Sequence, residues 1–203
     1  MSSSYEKDIQ EAGASKEELV KKIDFSIMKY LWLANPLSAK NKGSIPRFLR
    51  NIEILKSFSD NELRILAKYF HNRKFSEGEV VFRNGEIGIG FYFIFSGNIE
   101  LSHDELRGEL GEDKFLSLDE FSYFGELALL QDGNRRSASA VAKNQCELVG
   151  IFKPDLENLI QRHPVIAAKF IQSLSSSLAD RLYHVTYEAS KMARRIKQLE
   201  SKK

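Results

Sequence analysis

The sequence predicts a mainly β fold of the α+β class. It reads as an antiparallel β-roll or jelly roll (a double-stranded β-helix) with helices before it and one long helix after it. Two features of the chain carry that reading. From about residue 75 to residue 152, short apolar runs alternate with turn residues at close spacing, the pattern of many short antiparallel strands. On either side the apolar spacing lengthens to three and four and, from Ile171 onward, to a strict seven.

The elements follow in order. Residues 1–14 are polar and expected to be disordered. Ser15-Lys16-Glu17-Glu18 is a capping-box pattern, and Leu19, Val20, Ile23, Ile27, Tyr30 and Leu31 recur at helical spacing. Asn35-Pro36 ends that helix, and a linker runs to Gly43, giving a helix-and-linker unit over 15–43. A short segment around Phe48, Leu49, Ile52, Ile54 and Leu55 follows. Ser59-Asp60-Asn61-Glu62 then opens a second capped helix with Leu63, Ile65, Leu66 and Phe70 as its apolar face.

Strands are expected at Val80–Phe82, Phe91–Phe95, Ile99–Ser102, Phe115–Leu118, Ser139–Val141 and Cys146–Phe152, with an acidic loop over 103–113. A short helix sits between two of them, after Gly125. The central domain is placed at 44–163 and the final helix at 164–203. Gly88-Ile89-Gly90 lies between strands with no helix after it, so a dinucleotide-binding reading is set aside.

Composition excludes several classes. A formal net charge of +2 over 203 residues gives no strong pull toward nucleic acid or anionic membrane. The single cysteine, Cys146, precludes an internal disulfide and suits a reducing compartment, and a cytoplasmic location is expected. The N-terminus lacks the basic-then-apolar pattern of a secretory signal, and no apolar run is long enough to span a bilayer. Four scattered histidines give no metal-ligand spacing, so no metal is expected. No nucleophile–base pair is legible, and the chain is not expected to be an enzyme.

The chemistry concentrates in Phe124-Gly125-Glu126-Leu127-Ala128-Leu129-Leu130 and in Arg136-Ser137-Ala138-Ser139, with Arg136 ten residues after Glu126. Gly125 lets backbone approach a ligand closely. The first amides of the short helix, from Glu126 to Ala128, are expected to lack internal partners and to point outward at the positive end of the dipole. Arg136 adds a permanently charged planar fork suited to phosphate oxygens, and Ser137 a hydroxyl donor. Glu126 would repel a phosphate, so its carboxylate suits a sugar hydroxyl. Taken singly, Glu126 also reads as a helix cap and Arg136 as a surface charge.

This stretch resembles the phosphate-binding cassette of the cyclic nucleotide-binding domain family. The likeness extends over roughly residues 45 to 190, through Phe58-Ser59-Asp60-Asn61-Glu62-Leu63, Glu77-Gly78-Glu79-Val80-Val81-Phe82, Gly85-Glu86, Phe91-Tyr92 and Ser96-Gly97. From Arg136 to Pro164 it is similar to the bacterial catabolite activator branch. The resemblance implies an eight-stranded β-roll with an N-terminal helical bundle and a C-terminal hinge and lid helix. It implies a site made by Phe124, Gly125, Glu126, Leu127, Ala128, Arg136, Ser137 and Ala138, with cAMP, or less readily cGMP, as regulatory ligand.

Two departures stand out. The family's glycine four residues before the cassette glycine is replaced by Phe121. Two arginines are adjacent, Arg135 in the register of eukaryotic kinase subunits and Arg136 in the bacterial one; the Ser-Ala-Ser that follows selects Arg136.

After Pro164, Ile171, Leu178, Val185, Met192 and Leu199 fall seven apart, and Leu182, Ala189 and Ile196 form a second series offset by four. These are the a and d positions of a parallel two-stranded coiled coil, so a homodimer through 171–199 is expected, with Ser175 the weak point. The alternative is an amphipathic helix lying on its own barrel. The resemblance also makes Arg181, Val185 and Thr186 candidate base contacts, positions that serve equally as seam and flank. DNA-reading members carry a helix-turn-helix after such a helix, and none follows before Lys203, so DNA is not an expected partner.

The expectation is a stand-alone regulatory protein that relays occupancy to an unknown effector protein through movement of the lid helix. Phe25, Tyr30, Trp32 and Leu33 offer either a partner surface or packing on the barrel. The alternatives are a ligand-independent dimeric scaffold of the same fold, or a DNA-binding regulator acting through a separate partner.

Overall fold

Two four-stranded sheets face each other. The computed structural model describes residues 45–102, 115–131 and 133–201; the expectations for 1–43 and for the acidic loop 103–113 lie outside them. One sheet has the order β1 (His71–Phe75), β8 (Cys146–Phe152), β3 (Gly90–Ser96), β6 (Tyr123–Phe124). The other has the order β2 (Val80–Phe82), β7 (Ser139–Ala142), β4 (Ile99–Ser102), β5 (Phe115–Leu118). All the strand pairs are antiparallel. The chain crosses repeatedly between the sheets, so the roll closes on itself as the strand pattern predicts.

Strand β3 shows why the first sheet lies at the centre of the molecule. Its side chains alternate in direction, and both faces are buried. Tyr92 and Ile94 point between the sheets, where they meet Phe75, Val81, Phe82, Phe124, Leu148 and Phe152. Phe91 and Phe93 point the other way, into a second cluster built with the helices. Strand β8 divides likewise: Leu148 joins the first cluster, Val149 and Ile151 the second. A strand apolar on both faces needs a cover on each, and the helices supply the outer one.

That cover consists of α1 (Ile45–Arg50), α2 (Asp60–Leu66), α4 (Lys153–Arg162) and the start of α5 (Pro164–Glu200). The cap of α2 forms as its sequence predicts. The Ser59 hydroxyl accepts from the Glu62 amide at 3.3 Å, and the Glu62 carboxylate accepts from the Ser59 amide at 2.7 Å. Lys169 of α5 donates to the same carboxylate at 3.0 Å and to the Ser57 carbonyl at 2.9 Å, tying the cap to the long helix. The Ser59 amide first, and then Lys169, hold the Glu62 carboxyl below the usual glutamate range.

Three details correct the sequence reading. The first strand begins at His71, earlier than expected, because the polar run His71-Asn72-Arg73-Lys74 pairs along its whole length with β8. Strand β6, only two residues long, was unmarked in the sequence; it forms where Tyr123 and Phe124 pair with Phe93 and Tyr92. The third concerns Phe121, which has φ 67 in the turn before β6. This is left-handed backbone where a glycine would be unstrained. The ring stacks on Phe48 of α1 at 5.6 Å, and the amide donates to the Ile94 carbonyl at 3.0 Å, which together hold the turn.

The long helix divides in two. Ile166, Ala167, Phe170 and Leu174 are buried against the roll, and Ile171 packs partly on it. From Ala179 to Glu200 every residue is exposed, including Leu182, Val185, Met192, Ile196 and Leu199. None of the described helices is long and apolar enough to cross a membrane.

Candidate ligand-binding site

The site lies where β6 runs into the short helix α3 (Leu127–Leu130). Gly125 makes that junction at φ 81, and a Cβ there would stand 2.6 Å from the Arg136 guanidinium and 3.0 Å from the Gly90 carbonyl. Glycine is thus required twice, for the backbone angle and for the clearance. In α3 the Ala128 amide donates to the Gly125 carbonyl at 3.1 Å and the Leu129 amide to that of Glu126. This corrects the expectation for Ala128, whose amide is used internally. Glu126 and Leu127 precede that first bonded turn.

Arg136 is held from both sides. Its amide donates to the Glu86 carbonyl at 2.8 Å, and its own carbonyl accepts from Gly85 at 2.8 Å. The turn between β2 and β3 therefore grips the segment leading into β7. The guanidinium points inward, 3.9 Å from the centroid of the Phe82 ring, and donates to the carbonyls of Gly90 at 2.7 Å and Gly125 at 3.3 Å. Only 6% of Arg136 is exposed, whereas its neighbour Arg135 is exposed and donates to the Gly85 carbonyl at 2.7 Å. A guanidinium taken so far out of water is costly unless its surroundings return polar contacts.

Gly88 and Gly90, set aside in the sequence as a loop feature, turn out to belong here. A Cβ on Gly88 would meet the Arg136 side chain at 3.1 Å and Ala128 at 2.9 Å; one on Gly90 would strike the Tyr92 hydroxyl at 2.7 Å. Gly88 makes room for the Arg136 side chain, which comes from a distant part of the sequence and which nothing local signals, and Gly90 for the nearby Tyr92 ring and for Phe152.

Glu126 is 8% exposed and makes no cap bond to its own helix, so the capping role does not apply. Its Oε1 accepts from Nη1 of Arg181, on α5, at 2.5 Å. The Arg181 guanidinium also lies over the Tyr123 ring, 4.6 Å from its centroid.

These groups surround a cavity of about 430 Å³. Phe124, Gly125, Glu126, Leu127, Ala128, Arg136, Ser137, Ala138 and Arg181 all line it, nine of the ten expected site residues. Thr186 does not; it and Val185 lie further along α5, exposed. Sequence reasoning missed Phe82, Leu101, Leu116, Leu118 and Tyr123, an apolar wall on strands that alternate in direction. The cavity thus combines one buried cation, one buried anion and an apolar surface broad enough for an aromatic ring. Among the described residues no cluster of potential metal ligands occurs.

Comparison with known proteins points to one family. The Cyclic nucleotide-binding domain family matches residues 72–163. The cyclic AMP receptor protein of Thermus thermophilus is 31% identical over 140 residues, covering 69% of this chain and 62% of that protein. A cAMP-dependent protein kinase regulatory subunit of Blastocladiella emersonii is 35% identical over 114 residues, 56% of this chain but 28% of the relative. The crystal structure of Thermus thermophilus catabolite activator protein superposes with a TM-score of 0.58 at 32% identity, over 69% of this chain and 62% of that one. The chain therefore spans less than two thirds of the length of these relatives. With the β-roll and the cassette turn both in place, residues 72–163 form a cyclic nucleotide-binding domain, similar to that of catabolite activator-like proteins.

Proposed function

We propose that the cavity binds a cyclic nucleotide, cAMP in preference to cGMP, and that the chain is a regulatory protein signalling occupancy through α5. The observation that carries this reading is the pairing of Arg136 and Glu126, both more than nine-tenths buried, in the walls of one cavity. The Arg136 fork meets the cyclic phosphate, helped by the Ser137 hydroxyl and the amides at the start of α3. The Glu126 carboxylate takes the ribose 2′-hydroxyl. Leu116, Leu118 and Leu127 offer apolar surface to the base. Ser137 adds a donor that tempers the preference for adenine.

In the same reading α5 pairs with a second copy through 171–199. The exposed a and d residues gain the apolar cover they lack on the roll. Occupancy then shifts the lid helix and alters a surface offered to an effector protein. Arg181 and Thr186 remain the candidate contacts from the lid.

Thermal unfolding with and without ligand tests this. Ligand at a hundred times its dissociation constant adds about 2.7 kcal/mol of stability. A melting curve unmoved by millimolar cAMP and cGMP ends the sensor reading and leaves a ligand-independent scaffold.

A further inference from the structure

We propose that Tyr123 is the positioning residue that links occupancy of the cavity to the course of α5; this rests on the cyclic nucleotide reading above. Tyr123 lies on β6, two residues before Gly125. Its ring is fixed by the core, tilted against Phe91 at 5.7 Å and edge-on to Phe93 at 6.0 Å. From that anchored ring two contacts reach the long helix. The phenol hydroxyl hydrogen-bonds the Ser177 hydroxyl, and the ring face carries the Arg181 guanidinium at 4.6 Å.

Ser177 and Arg181 are four residues apart and so share one face of the helix. Beyond Arg181, among the described residues, no α5 side chain bonds to the sheets. These are the last ties before the helix leaves the domain. Arg181 also donates to Glu126, so contacts run from Ser177 through Tyr123 and Arg181 to Glu126. Tyr123 is the uncharged member that both lines the cavity and touches the helix.

A sugar hydroxyl arriving at Glu126 competes with Arg181 for the carboxylate. A guanidinium displaced from its partner needs another favourable position, and the negative face of an aromatic ring is one. The Tyr123 ring already lies beneath it. The Ser177 bond keeps α5 in the register at which that position stays within reach. Tyr123 therefore determines where the helix settles when Glu126 changes partner.

The test compares the wild-type chain with Tyr123→Phe, Ser177→Ala, the double variant and Tyr123→Leu. Ser176→Ala, an exposed neighbour, is the control. Calorimetry measures cAMP affinity, and hydrogen exchange follows residues 175–199 with and without cAMP. Tyr123→Phe and Ser177→Ala are each expected to weaken binding roughly three- to tenfold, and the double variant no further, since one hydrogen bond is removed in all three. Tyr123→Leu removes the ring face as well and is expected to abolish the ligand-induced change in exchange; should it fail to fold, the Phe and Ala variants decide.

Wild-type affinity and a wild-type exchange difference in those two variants overturn the linking role, as does a lowered melting temperature with binding unchanged. Absence of cAMP and cGMP binding to the wild type overturns the functional reading first, and this proposal with it.

Discussion

The cassette turn and the distal half of α5 invert the ordinary rule of burial in opposite directions. Around Gly125 two charged side chains, Arg136 and Glu126, are withdrawn from water. Along α5 beyond Ala179, Leu182, Val185, Met192, Ile196 and Leu199 face it. Scattered exposed apolar residues mean little, but a buried charge or an aligned apolar stripe is informative. A buried guanidinium next to an apolar wall suits a small anion with an aromatic part. A stripe repeating every seven residues suits a second stripe of the same kind.

The largest expected effect breaks the first half of the comparison. Arg136→Ala should lower cAMP affinity at least about a hundredfold, from the loss of a charge-assisted contact of roughly 3 kcal/mol, while Arg135→Ala stays within a few-fold. A calorimetric titration giving the reverse order would move the phosphate register by one residue.

The second half is tested by Leu182→Ala, which removes apolar surface from both copies of the proposed seam. Self-association should weaken by about thirtyfold, equivalent to roughly 2 kcal/mol. Sedimentation of the wild type as a monomer at micromolar concentration would refute the seam itself.

Between the two regions stands the tie from Glu62 to Lys169. Because the folded state holds the Glu62 carboxyl below its usual range, its stabilisation is present above the unfolded-state pKa. It is lost as pH falls through the folded value. Glu62→Gln should cost about 1 kcal/mol at neutral pH and flatten the acid limb of the stability curve. Denaturant titrations at neutral and acid pH measure both.

The smallest effect sharpens the contrast between kinds of exposed apolar residue. Phe121 is 45% exposed, yet its ring already has an internal partner in Phe48. Phe121→Gly should be more stable than Phe121→Ala by about 1 kcal/mol, reversing the usual order, because only glycine relaxes the left-handed backbone. Equal melting temperatures for the two would remove the strain.

The legibility of the molecule follows the range of its interactions. The Ser59 cap, the six expected strands and the seven-residue stripe all arise from neighbours within a few positions, and each could be read directly. That Arg136 rather than Arg135 turns inward was also legible, through the Ser-Ala-Ser that leads into β7. Strand β1 was not, since His71-Asn72-Arg73-Lys74 has no apolar alternation and is extended only because β8 pairs with it. Nor was the use of Gly88, which matters only once Arg136 arrives beside it.

By itself the sequence determined the class of fold, the position of the short helix in its turn, and the identity of the two buried charged groups that line the cavity beside it. These rest on periodicity, on turn chemistry and on what glycine, arginine and glutamate can do. Tertiary structure alone decided that Tyr123 joins that site, that Arg181 meets Glu126 there, and that α5 leaves the roll beyond Arg181. Contacts across 54 and 55 positions of chain depend on how sheets and helix come to rest together, and no local pattern records them.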